Sequence, residues 1–164
     1  MTVQYTRAQM TQVRAYRTCR RPGLYTDIDG TGANLFTIAG GPIQAIALFG
    51  HVTTVIGAGL AVPQLWFTPT GGGGVTALCA SAASIAADAV NTLYTWTGLL
   101  AGLLTPGVGI GHLDLTGAEA GFANPLTFTP GVVSLVNAVD AVSGVIDWYI
   151  AYIPMLDASV ITAA

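Results

Sequence analysis

The side chains of this chain that could carry out chemistry are few and lie far apart in the sequence. His112 and Asp114 form an H-x-D pair, and on a strand both side chains would face the same side. A zinc-type metal site needs further ligands, and His51 is the only other histidine. General acid–base catalysis needs paired carboxylates or a histidine held by a partner, whereas the acidic residues here are scattered. We therefore expect no catalytic residue, no metal site and no cofactor.

Motifs for nucleophilic catalysis and phosphate binding are absent from the sequence as well. There is no G-x-S-x-G nucleophile elbow and no P-loop. Gly107, Gly109 and Gly111 form a G-x-G-x-G pattern, but no helix-forming run follows, and a glycine-rich interface loop explains the pattern more simply. Cys19 and Cys79 are too few for a disulfide framework, and we expect Cys79 to be a buried small hydrophobe. The sequence thus favours a non-enzymatic role.

Charge is divided unequally along the chain. All five positive side chains lie in the first 21 residues, and they are Arg7, Arg14, Arg17, Arg20 and Arg21. All eight acidic residues follow Pro22, so a head of charge +5 precedes a body of charge −8, which gives the net charge of −3. We expect the arginines to bind an acidic protein surface. Nucleic acid is a weaker candidate, because the acidic body would be repelled and no aromatic residues alternate with basic ones.

Residues 1–34 are predicted to form a basic N-terminal arm. Residues 6–21 contain no glycine or proline, and Pro22-Gly23 ends the run, so a partly helical arm is expected. Arg14, Arg17 and Arg21 are spaced three and four apart and would share one face of such a helix. The alternative is a segment that stays disordered until it binds a partner. Residues 1–30 hold no apolar run of seven, so no signal peptide is expected.

The body is apolar and almost uncharged. Hydrophobic residues make up 52% of the 164-residue chain and charged residues 8%, against about 25% charged in a typical soluble domain. A monomer of this composition would expose large apolar patches, so we expect an obligate oligomer, a lattice component or a protein in lipid. Residues 43–62 have the length of a bilayer span. Polar residues and glycines inside that run, and prolines beside it, count against a membrane helix, and a small membrane protein remains an alternative.

The spacing of turn residues predicts an all-β body. Glycine- and proline-rich turns recur every eight to twelve positions, with short runs of β-branched and aromatic residues between them. The clearest strand covers residues 145–153, with residues 126–136 as its predicted partner. The side chains expected to share one face of it are Ile146, Trp148, Ile150 and Tyr152. Residues 35–164 are thus predicted to form an antiparallel β-sandwich or a barrel-like domain of jelly-roll type.

Two further strands and two loops complete this prediction. Residues 65–67 and residues 91–97 are expected to be strands. The four glycines of residues 71–74 are predicted to form a flexible loop tip. Residues 99–124 are long, glycine-rich and poorly periodic, which is typical of a functional or interface loop that could cover a neighbouring subunit.

Seven stretches of the body, taken in order, carry recurring strand-and-turn signatures: residues 35–42, 48–54, 65–70, 78–79, 92–98, 146–154 and 158–164. Together they resemble a family of small structural proteins of tailed bacteriophages that occur on or near the virion head. The resemblance covers most of residues 35–164 and consists of strand-and-turn signatures. It implies a β-sandwich or barrel-like domain, a position in the virion and trimeric clustering.

The leading hypothesis is a capsid decoration protein on the capsid surface of the virion. It would bind the assembled lattice of the major capsid protein, or another virion protein, as a homotrimer. The arm arginines, Arg7, Arg14, Arg17, Arg20 and Arg21, would anchor each subunit and add avidity. Neither nucleic acid nor a membrane is expected as a partner. The alternatives are a head-fibre or tail component, or a receptor- or carbohydrate-binding module, which would need an exposed Trp66, Trp96 or Trp148.

Overall fold

The body folds into β-strands, as the spacing of its turn residues predicts. A computed structural model describes residues 17–24, 32–59, 62–79, 84–96, 105–108, 126–137 and 143–164. Within these ranges the chain forms strands and no helix. The strands are β1 (Arg17–Arg21), β2 (Ala33–Ala39), β3 (Ile43–Thr54), β4 (Pro63–Pro69), β5 (Thr76–Ala77), β6 (Thr92–Trp96), β7 (Thr105–Val108), β8 (Leu126–Phe128), β9 (Gly131–Asn137), β10 (Val145–Pro154) and β11 (Val160–Ala163).

The strands pair into two antiparallel sheets. Sheet A has the order β1-β10-β3-β6-β7, and sheet B has the order β11-β2-β9-β4-β5. Strand β3 is long enough to pair with two neighbours along one edge, because β8 lies beside Ile43–Ala45 and β6 lies beside residues 48–51. Its other edge pairs with β10 along almost its whole length.

The order in which the chain enters the two sheets is that of a jelly roll. Four antiparallel pairs are nested along the chain and alternate between the sheets: β1 with β10, β2 with β9, β3 with β8, and β4 with β5. This is one long hairpin wound into two four-stranded layers. Strands β6 and β7 are an inserted hairpin that widens sheet A, and β11 widens sheet B. The predicted antiparallel sandwich is confirmed, and among the described strands the two sheets stay open rather than closing into a barrel.

The core lies between the sheets and follows the two-residue period of the strands. On β10 the predicted inner row is confirmed, because Ile146, Trp148, Ile150 and Tyr152 are each at most 3% exposed. The outer row of the same strand is half-buried except for Asp147, which is buried. Sheet B contributes the opposite wall, with fully buried Leu35, Phe36, Leu65, Val133 and Leu135. Removal of this apolar surface from water is the main free energy that holds the two layers together.

The predicted partner of the clearest strand is wrong. Residues 131–137 form β9, which pairs with β2 and β4 in sheet B, and β8 pairs with β3. Strand β10 pairs instead with β1 and β3 in sheet A. The connection from β9 to β10 crosses from one sheet to the other, as the jelly-roll winding requires. The alternation of apolar and polar residues indicates which face of a strand is buried, but it does not identify the neighbouring strand.

The predicted helix in the arm is wrong over its last residues. Arg17–Arg21 are extended and pair residue by residue with β10, from Arg17 opposite Tyr152 to Arg21 opposite Trp148. The ten-residue strand beside them offers unpaired backbone groups along its edge, and these outweigh a weak helix propensity. Residues 6–16 lie outside the described part of the chain. The boundary predicted at residue 34 stays a prediction.

The remaining sequence predictions fall on strands and a turn. Residues 65–67 lie within β4, residues 92–96 of the strand predicted at 91–97 form β6, and residues 71–74 form an exposed turn between β4 and β5. Residues 43–54 of the run considered as a membrane span form β3. Among the described residues no helix has the length and apolar character needed to cross a bilayer. Residues 99–124 lie outside the described residues except for β7.

Two glycines with similar backbone angles give a matched test of this packing. Gly40 (φ +73°) lies in the turn between β2 and β3, and a Cβ there would overlap the carbonyl oxygen of Ala158. Gly72 (φ +86°) lies in the exposed turn, and no atom lies within 4 Å of the Cβ position. Gly72→Ala should lower the free energy of unfolding by about 1 kcal/mol, the cost of the left-handed backbone alone. Gly40→Ala should cost about 3 kcal/mol or more, because the backbone itself must move.

Denaturant unfolding of the two variants measures the difference directly. Equal losses of stability would contradict the close approach of the turn between β2 and β3 to the loop before β11.

Candidate functional site: the arginine strand and the outer face of sheet A

Three of the five predicted arginines lie on β1, and the strand separates them. Arg20 faces outward opposite Tyr149, whereas Arg21 lies opposite the buried Trp148. Arg17 and Arg20 are exposed, and Arg21 is buried. The helix that would place Arg14, Arg17 and Arg21 on one face does not form over residues 17–21, although the geometry of a strand also places Arg17 and Arg21 on one side. Arg7 and Arg14 lie outside the described residues.

Asp147 on β10 anchors β1 and the residues that follow it. Arg20 Nη2 donates to Asp147 Oδ2 at 2.6 Å, and Arg20 Nε donates to the same oxygen at 3.2 Å. The other oxygen, Oδ1, accepts the backbone N–H of Gly23 at 2.8 Å. The side chain of Asp147 is 7% exposed and that of Arg20 is 57% exposed. One carboxylate thus holds both the end of β1 and the start of the connection to β2.

The environment of Asp147 favours its charged form. Burial by itself would raise the pKa of this carboxyl group, but the Gly23 N–H and the Arg20 guanidinium outweigh burial. The pKa therefore lies below its ordinary value of 3.8, and His51 contributes in the same direction. The hydrogen bond to Asp147 also raises the pKa of Arg20. At neutral pH the pair is an ion pair with charge-assisted hydrogen bonds.

Aromatic rings continue this cluster across the outer face of sheet A. Arg20, Tyr149, Phe49 and Thr95 stand side by side on β1, β10, β3 and β6. The rings of Tyr149 and Phe49 stack with centroids 4.9 Å apart and planes 10° apart. The Arg20 guanidinium lies 5.9 Å from the centre of the Tyr149 ring, within cation–π range. This strip places apolar, aromatic and charged groups side by side on the outer face of one sheet, which is chemistry suited to binding.

Arg21 serves a different purpose from Arg20. Its Nε donates to the backbone oxygen of Ala164 at 3.3 Å, and its Nη1 donates to the carbonyl oxygen of Pro22 at 3.2 Å. Ala164 follows β11, so this guanidinium links the edge strand of sheet A to the edge strand of sheet B. With a residue exposure of 7%, Arg21 stabilises the corner of the sandwich.

Burial raises the pKa of three other groups that could take part in chemistry, Tyr94, Cys19 and Cys79. The Tyr94 hydroxyl donates to Asp88, and burial, followed by this carboxylate, raises the pKa of Tyr94 far above its ordinary value. Burial also raises the pKa of the Cys19 and Cys79 thiols, which makes the reactive thiolate scarcer. Within the described ranges no three His, Cys, Asp or Glu side chains lie close enough to hold a metal ion. His112 and Asp114 lie outside those ranges.

Two of the three tryptophans can be assessed for surface binding. Trp148 is fully buried, so it offers no face to a ligand. Trp66 is half-buried, and its register places it on the outer face of sheet B. The side chain of Trp96 lies outside the described part of the structure.

The sequence analysis identified the arginines but did not identify Asp147 as the partner of Arg20. Asp147 carries a usable signal, since it is a single acid inside an otherwise apolar strand, where an unpaired charge would be costly. Nothing in the sequence predicts that Phe49 stacks on Tyr149, because this contact depends on the register between β3 and β10. Comparison of the chain with protein-family models, with curated proteins and with solved structures finds no match in any of the three.

Removing the anchor carboxylate should weaken the fold in a pH-dependent way. At neutral pH, Asp147→Ala should lower the free energy of unfolding by about 2 kcal/mol, because the Gly23 N–H loses its acceptor and the Arg20 pair is lost. The pKa of Asp147 is lower in the folded than in the unfolded chain, so its contribution is full above the ordinary value of 3.8. The contribution disappears as the pH falls through the folded pKa.

Denaturant titrations of the wild-type and variant chains from neutral pH to about pH 2 test this linkage. The gap between the two chains should close in acid. Asp157→Ala, which removes an exposed acid, is the matched control and should change stability by less than about 0.5 kcal/mol. If the difference in free energy of unfolding between the wild type and Asp147→Ala stays constant with pH, the loss of stability comes from packing rather than from the charge of Asp147.

Proposed function

We propose that this chain is a bacteriophage virion structural protein, and specifically a capsid decoration protein that binds the assembled shell of the major capsid protein. The observation that carries the proposal is the attachment of an arginine-bearing strand to a jelly-roll body through the Arg20–Asp147 pair. The resemblance of residues 35–164 to small virion proteins suggests the setting, and the role is structural rather than enzymatic.

The geometry of β1 supports an anchoring role for the arm. Strand β1 begins at Arg17 opposite Tyr152, close to the end of β10. Residues 1–16, which carry Arg7 and Arg14, are therefore attached at one end of the sandwich. We call this end the arm end, and it comprises the turns at residues 40–42, 70–75, 129–130 and 155–159. Backbone hydrogen bonds from Met155 to Pro42 and from Thr70 to Pro130 join these turns.

The surface of the arm end supports the same role. Val75, Met155 and Leu156 lie in its turns and are 56%, 54% and 55% exposed, although they are large and apolar. Exposed apolar side chains of this size add contact area where a partner covers them, and Leu24, Val55 and Val90 are exposed in the same way elsewhere on the molecule. A basic arm and an apolar end would contact the same partner, so each weak contact would add to the other. Assembly into a homotrimer on the virion surface would strengthen binding further, because three arms and three apolar ends would contact the partner at once.

Binding to shells tests the proposal. The chain is mixed with shells assembled from the major capsid protein encoded in the same genome, and the bound fraction is measured by sedimentation. The full chain should sediment with the shells, and binding should weaken as salt is added, because arginine contacts to an acidic surface are screened. The double variant Arg7→Gln, Arg14→Gln should bind at least about tenfold more weakly. Each subunit would lose the small binding free energy of two exposed ion pairs, and this loss adds up over the subunits of an oligomer.

The controls keep the fold intact. A truncation should stop before Arg17, because removing β1 would take away the Arg20 and Arg21 contacts along with the arm. The variant Gln9→Ala, Gln12→Ala changes the same arm without changing its charge and should bind like the wild type. Failure of the full chain to sediment with shells would overturn the proposal, and undiminished binding after loss of residues 1–16 would overturn the role of the arm.

A further inference from the structure

Strand β1 is the outermost described strand of sheet A and has a pairing partner on one side only. It pairs with β10 from Arg17 opposite Tyr152 to Arg21 opposite Trp148, and no described strand pairs with its other side. In an antiparallel pair, alternate residues direct their backbone N–H and C=O groups away from the partner strand. The free edge of β1, which is the side turned away from β10, therefore presents unpaired backbone groups to which another strand can be added.

The contacts of β1 with β11 leave this free edge open. Arg21 Nε donates to the backbone oxygen of Ala164, and the backbone of Ala163 forms a hydrogen bond with the Cys19 thiol. Both contacts are made by side chains on the inner side of β1, because Cys19 packs against the core and Arg21 is buried. No backbone ladder joins the described strands β1 and β11. Strand β11 thus supports β1 from within the sandwich without filling its free edge.

The free edge is also positively charged. Within the part of the chain that the structure describes, Arg17 is exposed and has no hydrogen-bond or ion-pair partner. The side chain of Arg20 is 57% exposed although it pairs with Asp147. Strands β1 and β10 together carry three guanidinium groups and one carboxylate, so their local charge is +2. An acidic partner is therefore attracted to this edge.

Two other occupants fit the free edge poorly. A second copy of β1 would place its own arginines beside Arg17 and Arg20, and like charges on adjacent strands are destabilising. Residues 1–16 of the same chain would have to turn back sharply to lie beside β1. Residues 1–21 contain no glycine, proline, asparagine or aspartate, which are the residues that tight turns favour. Both points favour a strand from another protein.

We propose that the free edge of β1 binds an extended acidic segment of a partner protein as an added strand. Backbone hydrogen bonds supply the affinity in this mode of recognition, and side chains supply the specificity. Carboxylates of the segment form charge-assisted hydrogen bonds with Arg17 and with the exposed side of Arg20. For its biological setting this binding mode rests on the proposed function, and it specifies which kind of segment the capsid partner presents.

Titration of the full chain with short peptides, followed through its backbone amide NMR signals, tests the strand pairing. The probe is an octapeptide of alternating glutamate and threonine with blocked ends, and it should shift the signals of β1. The same peptide with glutamine in place of glutamate should bind about fivefold more weakly, because two exposed ion pairs are lost. The glutamate peptide with a methyl group on every backbone nitrogen keeps its charge but has no N–H donor, so it should bind at least about tenfold more weakly.

Variants of the chain show whether the edge or the whole arm attracts the peptide. Arg17→Gln should weaken binding of the glutamate peptide about threefold, and it should keep the fold because Arg17 has no hydrogen bond or ion pair to lose in the described structure. Arg7→Gln is the matched control, since it removes the same charge from the arm, and it should bind like the wild type. Arg20 is unsuitable for this test because it also holds Asp147.

Hydrogen exchange in the presence of shells separates the binding mode of β1 from the proposed function. Backbone amides on the free edge of β1 should exchange at least about tenfold more slowly in the shell-bound full chain than in the free chain. Shell binding without slower exchange in β1 would overturn the inference and leave the proposed function standing. Absence of shell binding with intact peptide binding would count against the proposed function alone.

Four peptide results would also overturn the inference. They are a glutamate peptide that leaves the β1 signals unmoved, an N-methylated peptide that binds equally well, and equal losses of binding in Arg17→Gln and Arg7→Gln. The fourth is a single-stranded DNA octamer that binds the edge more tightly than the glutamate peptide, which would assign the edge to nucleic acid.

Discussion

The pairing of β3 with β10 is the interaction on which the rest of the structure depends. The two strands run antiparallel over nearly their full lengths at the centre of sheet A, with register shifts near both ends. The inner row of β10 fills the core with Trp148 and its apolar neighbours, while the outer row carries Asp147 and Tyr149. One strand thus supplies both the hydrophobic burial that holds the layers together and the carboxylate that holds β1. Trp148 fits because Gly50 on β3 leaves room for its ring, which lies 3.1 Å from the Cβ position there.

Charge is the second constraint, and it acts on the layers differently. Sheet A tolerates charged side chains because Asp147 is fully engaged, by Arg20 on one oxygen and by Gly23 on the other. A buried carboxylate with fewer hydrogen-bonding partners would destabilise the fold while charged, so its pKa would rise and it would take up a proton. Sheet B carries no charge to compensate, so its outer face can be covered at little electrostatic cost. The two sheets therefore differ: sheet A carries the ion pair that fixes β1, and the strands of sheet B carry no charged side chain.

The sequence predicted the fold class and individual strands well and their neighbours poorly. Alternation in residues 145–153 is a local property, and it identified the buried row of β10 correctly. Pairing is a non-local property, so nothing in residues 126–136 revealed that they would divide between β8 and β9 in different sheets. The arginine spacing suggested a helix because propensity is local, whereas the free edge of β10 decided the outcome. For the site, composition identified the charged segment, but the aromatic stack depends on register and could not be inferred.

The nested winding has a consequence for the order of events during synthesis. The Arg20–Asp147 contact joins residues 127 positions apart in the sequence, so β1 has no partner until almost the whole chain has left the ribosome. At ordinary translation rates this interval is roughly ten seconds. Strand β1, the first of the described strands to be synthesised, is therefore among the last to dock, and long-range closure of this kind makes folding slow. Throughout that interval the basic segment stays unattached to its own body and accessible to chaperones and to other nascent chains.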